Sequence, residues 1–266
     1  MDLGLRDKVA LVTGASQGLG RAVAHALAAE GCRVALCARR PGPLQEAARE
    51  IAAATGTETH AIPGDVSLAA ACPRIVAEAA ARWGRLDILV ANAGGPPTGP
   101  FTDFTDEQWQ QAVDMNFLSA VRLIRAAVPY LRAAKATGGG AIIAITSVTV
   151  KQPMDNFVLS NSVRLGVVGL CKTLASELGP DGIRVNVVCP GWTWTERAES
   201  LVRARAERQG KTVDEVIADM LRDIPLRRVG KPEDLAALVA FLASERAGYI
   251  TGTTIQVDGG FARGVM

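Results

Sequence analysis

Short apolar runs separated by alanine-rich amphipathic stretches recur along the whole chain, and few folds accept that pattern. The runs fall at 9–12, 34–37, 88–91, 141–145, 185–188 and 254–257. The last two carry Asn186, Thr254 and Gln256, but the first four do not alternate apolar with polar residues, as a strand with one wet face would. Such runs suit strands buried on both faces of a parallel sheet. The stretches at 21–30, 44–54, 69–83, 107–132 and 163–177 carry helix-forming residues along an apolar face. Strand alternating with helix predicts an α/β fold: a Rossmann-type doubly wound parallel sheet with helices on both faces.

Boundary residues support the same division. Thr105 and Gln108 form a capping box that starts the helix carrying Trp109. Pro232, followed by Glu233 and Asp234, marks the first turn of another helix. Gly138-Gly139-Gly140 breaks the chain before the run at 141. No linker, repeat or low-complexity tract divides the 266 residues, so a single domain over 1–266 is expected. The stretch from about 195 to 228 departs from the pattern, with charges of both signs and one glycine, Gly210. It reads either as a small helical lid over a site or as a solvated helical hairpin.

Composition narrows the function. A net charge of +2 makes no electrostatic case for nucleic acid or an acidic membrane surface as partner. The longest apolar runs fall far short of the about 20 residues that span a bilayer. The N-terminus mixes Asp2, Arg6, Asp7 and Lys8 with short apolar pieces, which is no signal-peptide pattern. Cys32, Cys37, Cys72, Cys171 and Cys189 form no CxxC and no metal-ligand spacing with His25 or His60. Reduced core thiols, no metal and a cytoplasmic location are expected.

The most informative segment follows the first run. Thr13-Gly14-Ala15-Ser16-Gln17-Gly18-Leu19-Gly20 lies between a strand and a helix. Glycines there allow a tight turn and close backbone approach, and the helix N-terminus offers free N–H groups to an anion. This is the required context for a dinucleotide phosphate cradle, though the glycine spacing is wider than G-x-G-x-x-G. The alternative is a purely structural turn.

With that turn, the chain resembles the short-chain dehydrogenase/reductase family over essentially its whole length. Asn92-Ala93-Gly94 is similar to the family's Asn-Ala-Gly motif. Pro190-Gly191, Thr193 and Thr195 are similar to its Pro-Gly segment near the nicotinamide. The stretch from Ile250-Thr251-Gly252 to Asp258-Gly259-Gly260 resembles its C-terminal strand. The nearest resemblance is to the 3-oxoacyl-acyl-carrier-protein reductase type. It implies cofactor contacts from Gly14, Ser16, Gln17, Gly18, Leu19 and Gly20, from Asn92, Ala93 and Gly94, and from Asp65 and Val66 on the adenine side. It also implies a homo-oligomer, tetramer or dimer, packed through long helices and the last strand.

NAD-binding relatives end the second strand with an acid that holds the ribose hydroxyls. Here Ala38 takes that place and Arg39 and Arg40 follow. A guanidinium suits a 2′-phosphate, so NADP(H) is expected over NAD(H). The alternative is that both arginines are solvated loop residues.

The resemblance implies hydride transfer between nicotinamide and a carbonyl or alcohol, assisted by Asn, Ser, Tyr and Lys. Asn116 and Ser147 match the first two. The Tyr-x-x-x-Lys that should follow Ser147 is absent. Counting back from Gly169-Leu170-Cys171-Lys172 puts Ser160 at the Tyr position and Arg164 at the Lys position. A slip of one helical turn gives Phe157 and Asn161, which restores neither group. A serine hydroxyl is a far poorer acid than a phenol, and general acid–base help is commonly worth about 10²–10⁴-fold. Arg164 keeps a positive charge for the ribose but does not relay a proton.

Three explanations stay open. Lys151 acts as the substitute acid, with Asp155 a weaker candidate, or Lys151 is a surface lysine. The chemistry differs, as in halohydrin dehalogenases, although those keep the Tyr and lose the cofactor turn. Or the chain binds cofactor with little turnover, as a redox sensor or assembly subunit. Trp192 and Trp194 either line a substrate pocket or pack elsewhere. The substrate, whether acyl thioester, steroid, sugar or small alcohol, is not selected.

Overall fold

The computed structural model describes residues 2–265. In chain order the elements are β1 (Val9–Thr13), α1 (Gly18–Ala29), β2 (Arg33–Ala38), α2 (Pro41–Thr55), β3 (Thr59–Pro63), α3 (Ala71–Trp83) and β4 (Ile88–Ala91). There follow α4 (Asp106–Val113), α5 (Ser119–Ala133), β5 (Gly140–Ile145), α6 (Val158–Leu178) and β6 (Ile183–Pro190). The last are α7 (Glu196–Gln209), α8 (Val213–Asp223), α9 (Pro232–Ala243) and β7 (Thr254–Val257).

All seven strands form one parallel sheet in the order β3-β2-β1-β4-β5-β6-β7. The chain winds outward from β1 to one edge, then returns to β4 and winds to the other. That reversal between β1 and β4 opens a crevice at the C-terminal strand ends, where open α/β sheets take their ligands.

Both faces of the central strands are dry. In β1, Ala10 and Val12 pack with Val23 and Leu27 of α1, Leu44 of α2 and Leu235 of α9. Val9 and Leu11, one residue out of phase, pack on the other face with Ile75 of α3, Leu123 of α5 and Val167 of α6. This is why β1 is apolar without alternation. Full burial of each such side chain contributes about 1.5–3 kcal/mol.

The sheet edges look different in sequence. β3 reads Thr-His-Ala-Ile-Pro, and Ile62 is its only buried residue. It pairs with β2 alone, so it has no second neighbour demanding an apolar run.

Expected helix boundaries need two corrections. The stretch 107–132 is not one helix: α4 and α5 are separated by a π-helical turn, Asp114–Leu118. The wider turn inserts an extra residue and sets Asn116 inward, and Arg122 pairs with Asp114 beside it at 2.9 Å. Second, α6 begins at Val158 rather than 163, which places Ser160 in its first turn. The Thr105–Gln108 capping box forms as expected, and Gly138 and Gly139 take left-handed backbone before β5.

The 195–228 insertion forms α7 and α8. They share a small core of Val202, Ala206, Val216 and Met220, with Trp192 against it. Thr195 caps α7 by accepting the Ala198 amide at 3.2 Å, and Thr212 starts α8 with a capping box. Its face toward the strand ends, through Thr195, Arg197, Ala198 and Leu201, lines the crevice. Among the described residues no helix is long and apolar enough to cross a membrane.

Candidate active site

The crevice is a cleft of about 290 Å³ running from the 14–20 turn to the β5 and β6 tips. Its floor is set by β1 and β4. Thr13 Oγ1 donates to Asn92 O at 2.7 Å and accepts the Asn92 amide at 2.9 Å. Asn92 Nδ2 donates back to Thr13 O and Gly14 O at 3.1 and 3.4 Å. A Cβ on Gly14 would stand 2.7 Å from Asn92 Nδ2, and one on Gly20 would stand 2.2 Å from Gly14 O. Both glycines are therefore required by contact, and Gly14 and Gly18 also take positive φ. Asn92 thus staples the turn to β4. Gly14, Gln17, Gly18, Leu19 and Gly20 all line the cleft with Asn92, Ala93 and Gly94, whereas Ser16 does not.

At the far end, Ser147 follows β5 and caps a short turn, Val148–Val150, by accepting the Thr149 amide at 3.2 Å. That bond uses an oxygen lone pair and leaves the Ser147 proton for another acceptor. The same turn aims Thr149 at α6, where its hydroxyl lies 3.0 Å from Ser160 Oγ. Both hydroxyls are buried and line the cleft. Thr149 is a residue that sequence reasoning missed; its position two after Ser147 was the available signal.

One turn along α6, Arg164 is only 7% exposed. Its Nη1 donates to Thr146 O and Ile145 O at 2.8 and 3.3 Å, and its Nη2 to Gly94 O at 3.4 Å. Burial, and then the charge of Arg197, push its guanidinium down to about 10. Gly94 O also accepts Asn116 Nδ2 at 2.7 Å. Asn116 borders a small void beside the cleft with Arg164, and its buried Oδ1 has no partner among the described residues.

Lys151 is not brought into the cleft. The turn directs Val148 and Thr149 into the lining, and the half-buried Lys151 follows it, with its amide on Val148 O at 2.8 Å. Asp155 is exposed and also lies outside. The β6 end contributes Pro190, Gly191, Trp192 and Thr193 to the lining, and Trp192 meets Phe157 edge-on at 6.3 Å. Thr195 joins them, its methyl 3.4 Å from where a Gly18 Cβ would be. Trp194 is 40% exposed and is not among the residues that line the cleft.

The adenine-side candidates sit at the other strand tips. Arg39 is exposed, while Arg40 donates to Gln17 Oε1 at 2.7 Å and so ties β2 to the glycine turn. Asp65 Oδ1 accepts the Ser67 amide and hydroxyl at 3.0 and 2.8 Å, and Val66 packs partly into the core. Neither Asp65 nor Val66 reaches the main cleft.

The cysteines are free and buried, and burial pushes the thiols of Cys32, Cys37 and Cys171 up to about 12. No cluster of metal-ligating residues occurs among the described residues. The chemistry offered is therefore a glycine cradle for phosphates, a hydroxyl at Ser147 and a fixed cation at Arg164. A dinucleotide fits this donor set: the cradle is kept open by glycines, and the buried cation has only carbonyl partners.

A model of the family described as enoyl-(acyl carrier protein) reductase matches residues 14–262. The human protein named dehydrogenase/reductase SDR family member 4 is 36% identical over 261 residues, covering 96% of this chain and 88% of its own. The 3-oxoacyl-acyl-carrier-protein reductase of Staphylococcus epidermidis is 36% identical over 256 residues, covering 96% and 98%. The chain belongs to the short-chain dehydrogenase/reductase family.

Solved members of this oxidoreductase family superpose closely. L-sorbose reductase from Gluconobacter frateurii, complexed with NADPH and L-sorbose, gives a TM-score of 0.93 at 34% identity, with both chains covered fully. An actinorhodin polyketide ketoreductase with NADPH gives 0.91 at 32% identity, covering 97% and 98%. Short-chain dehydrogenase/reductase membership accounts for the sheet order, the cleft at the strand ends and the glycine cradle together.

Proposed function

We propose that this chain is an NADP(H)-dependent oxidoreductase that interconverts a carbonyl and an alcohol. The convergence of the 14–20 cradle, Ser147 and Arg164 in one cleft carries the reading. The NADPH complexes of similar reductases support the cofactor. Bound nicotinamide supplies or accepts the hydride.

In this reading the 14–20 turn and the N-terminus of α1 hold the pyrophosphate. Arg39, exposed at the end of β2, takes the 2′-phosphate. Arg164 donates to the ribose with the N–H groups its carbonyl contacts leave over. Ser147 donates its free proton to the substrate carbonyl, and Arg164 stabilises the negative charge that grows on that oxygen. Ser160, at the position of the family's Tyr, passes a proton through Thr149 instead of ionising. A homo-oligomer is part of the proposal.

A second reading is cofactor binding with little turnover. It is favoured by the pairing of Ser160 with Thr149, which leaves no phenol or lysine at the reacting end.

The test is calorimetric titration with NADPH and NADH, then loss of NADPH absorbance with a panel of ketones and 3-oxoacyl thioesters. Tighter NADPH binding and turnover that falls about 10²–10³-fold in Ser147→Ala support the first reading. Binding without turnover across the panel selects the second. No binding of either nucleotide sinks both.

A further inference from the structure

Two cations line the cleft, and only one belongs to the family positions considered above. Arg197, in the first turn of α7, reaches across to the loop after β4, where Nη2 donates to Pro96 O at 2.6 Å. That is its single hydrogen bond among the described residues, which leaves Nε and Nη1 without a protein acceptor. Gly95 makes room for it: a Cβ there would stand 2.6 Å from Arg197 Nε. Arg164, on the other side of the same loop, likewise bonds only carbonyls. Glu196 is the one carboxylate in the lining; it is exposed and pairs with neither guanidinium.

The arrangement is electrostatically incomplete. Burial lowers both guanidiniums, and the charge of Arg197 lowers Arg164 further. Arg164 is buried while Arg197, whose charge reaches it, is exposed to solvent; with no acid between them, an anion placed within reach of both stabilises the buried cation. The Thr195-capped N-terminus of α7 adds its positive dipole end to the same wall. The phosphate cradle lies on the 14–20 turn, whose Gly18 meets Thr195, the cap of α7. Arg164 stands beside Thr146, next to Ser147, and Arg197 closes over Gly95.

We propose that the substrate carries a carboxylate near its reacting carbonyl, bound directly by Arg197 with the charge of Arg164 behind it. The proposal rests on the oxidoreductase reading and narrows its substrate to oxo acids or hydroxy acids. In the reductive direction, hydride adds to the carbonyl carbon and a proton to its oxygen, while the carboxylate is unchanged.

The probes are 2-, 3- and 4-oxohexanoate, each paired with its neutral primary amide, titrated calorimetrically into the NADPH-loaded protein. At least one acid is expected to bind about tenfold or more tightly than its amide, the range of a charge-assisted pair. Arg197→Gln should erase that preference, and Arg197→Lys should keep part of it. NADPH affinity should stay within about twofold in both variants, since the cradle supplies the phosphate contacts. Equal binding of acid and amide across the series overturns the proposal. So does an Arg197→Gln variant that loses NADPH affinity as strongly as acid affinity, because Arg197 would then serve the cofactor. Failure of the unsubstituted protein to bind NADPH removes the oxidoreductase reading itself, a separate result visible before any acid is added.

Discussion

Replacing Arg164 by methionine is expected to cost the cofactor-free chain almost nothing while cancelling the stabilisation that NADPH provides. The guanidinium is held down at about 10 by burial and by Arg197, against an ordinary value above 12. At about 1.4 kcal/mol per unit, keeping that charge in the fold costs roughly 3 kcal/mol. Against this stand three hydrogen bonds to the carbonyls of Ile145, Thr146 and Gly94. Each, coming from a charged donor, is worth about 1.5 kcal/mol net at the low end. The two sides offset within about 2 kcal/mol, and methionine fills the volume of the stem.

Urea denaturation with and without NADPH reads both halves. Nucleotide at about a hundred times its dissociation constant should stabilise the unsubstituted chain by about 2.7 kcal/mol and the variant far less. The pH dependence has a definite sign. The folded-state value lies below the unfolded one, so the burial cost is fully present below pH 10 or so. It fades as pH rises further, because the folded chain releases the proton first. A loss of about 5 kcal/mol in the cofactor-free variant would show that the cation holds the fold together. Equal stabilisation of both proteins by NADPH would remove Arg164 from the cofactor site.

Three further outcomes follow from contacts described above. Gly20→Ala drives a Cβ into Gly14 O and should abolish NADPH binding by calorimetry, whereas Gly169→Ala in α6, with open space around it, should raise stability by about 0.4–1 kcal/mol. Thr149→Val leaves the buried Ser160 hydroxyl without its partner and should lower the free energy of urea unfolding by about 1–3 kcal/mol. Arg39→Ala should weaken NADPH about tenfold and leave NADH binding unchanged, measured by parallel titrations, if the exposed guanidinium meets the 2′-phosphate.

Much of the fold was legible because central parallel strands carry their burial in their sequence. β1, β4 and β5 read as nearly unbroken apolar runs since neighbours cover both faces, while β6 carries Arg184 and Asn186 among its apolar residues. β3 showed no such run because an edge strand with one neighbour needs only Ile62 inside. The π-helical turn at Asp114–Leu118 was invisible, since its extra residue leaves the helical composition unchanged. In the cleft, the glycine turn was legible from local backbone demands. Thr149 and Arg197 were not, because each acts through a contact with residues distant in sequence, Ser160 and Pro96. Lys151 was close to Ser147 in sequence, yet it does not join the residues that line the cleft.

Gly94 O accepts from Asn116 in the π-turn before α5 and from Arg164 in α6. A single peptide group therefore senses two separate helices, and the amide it polarises is that of Gly95, directly under Arg197. The Gly95 nitrogen resonance is thus a built-in spectroscopic reporter, one signal that registers in solution how both helices and the far wall of the cleft are seated.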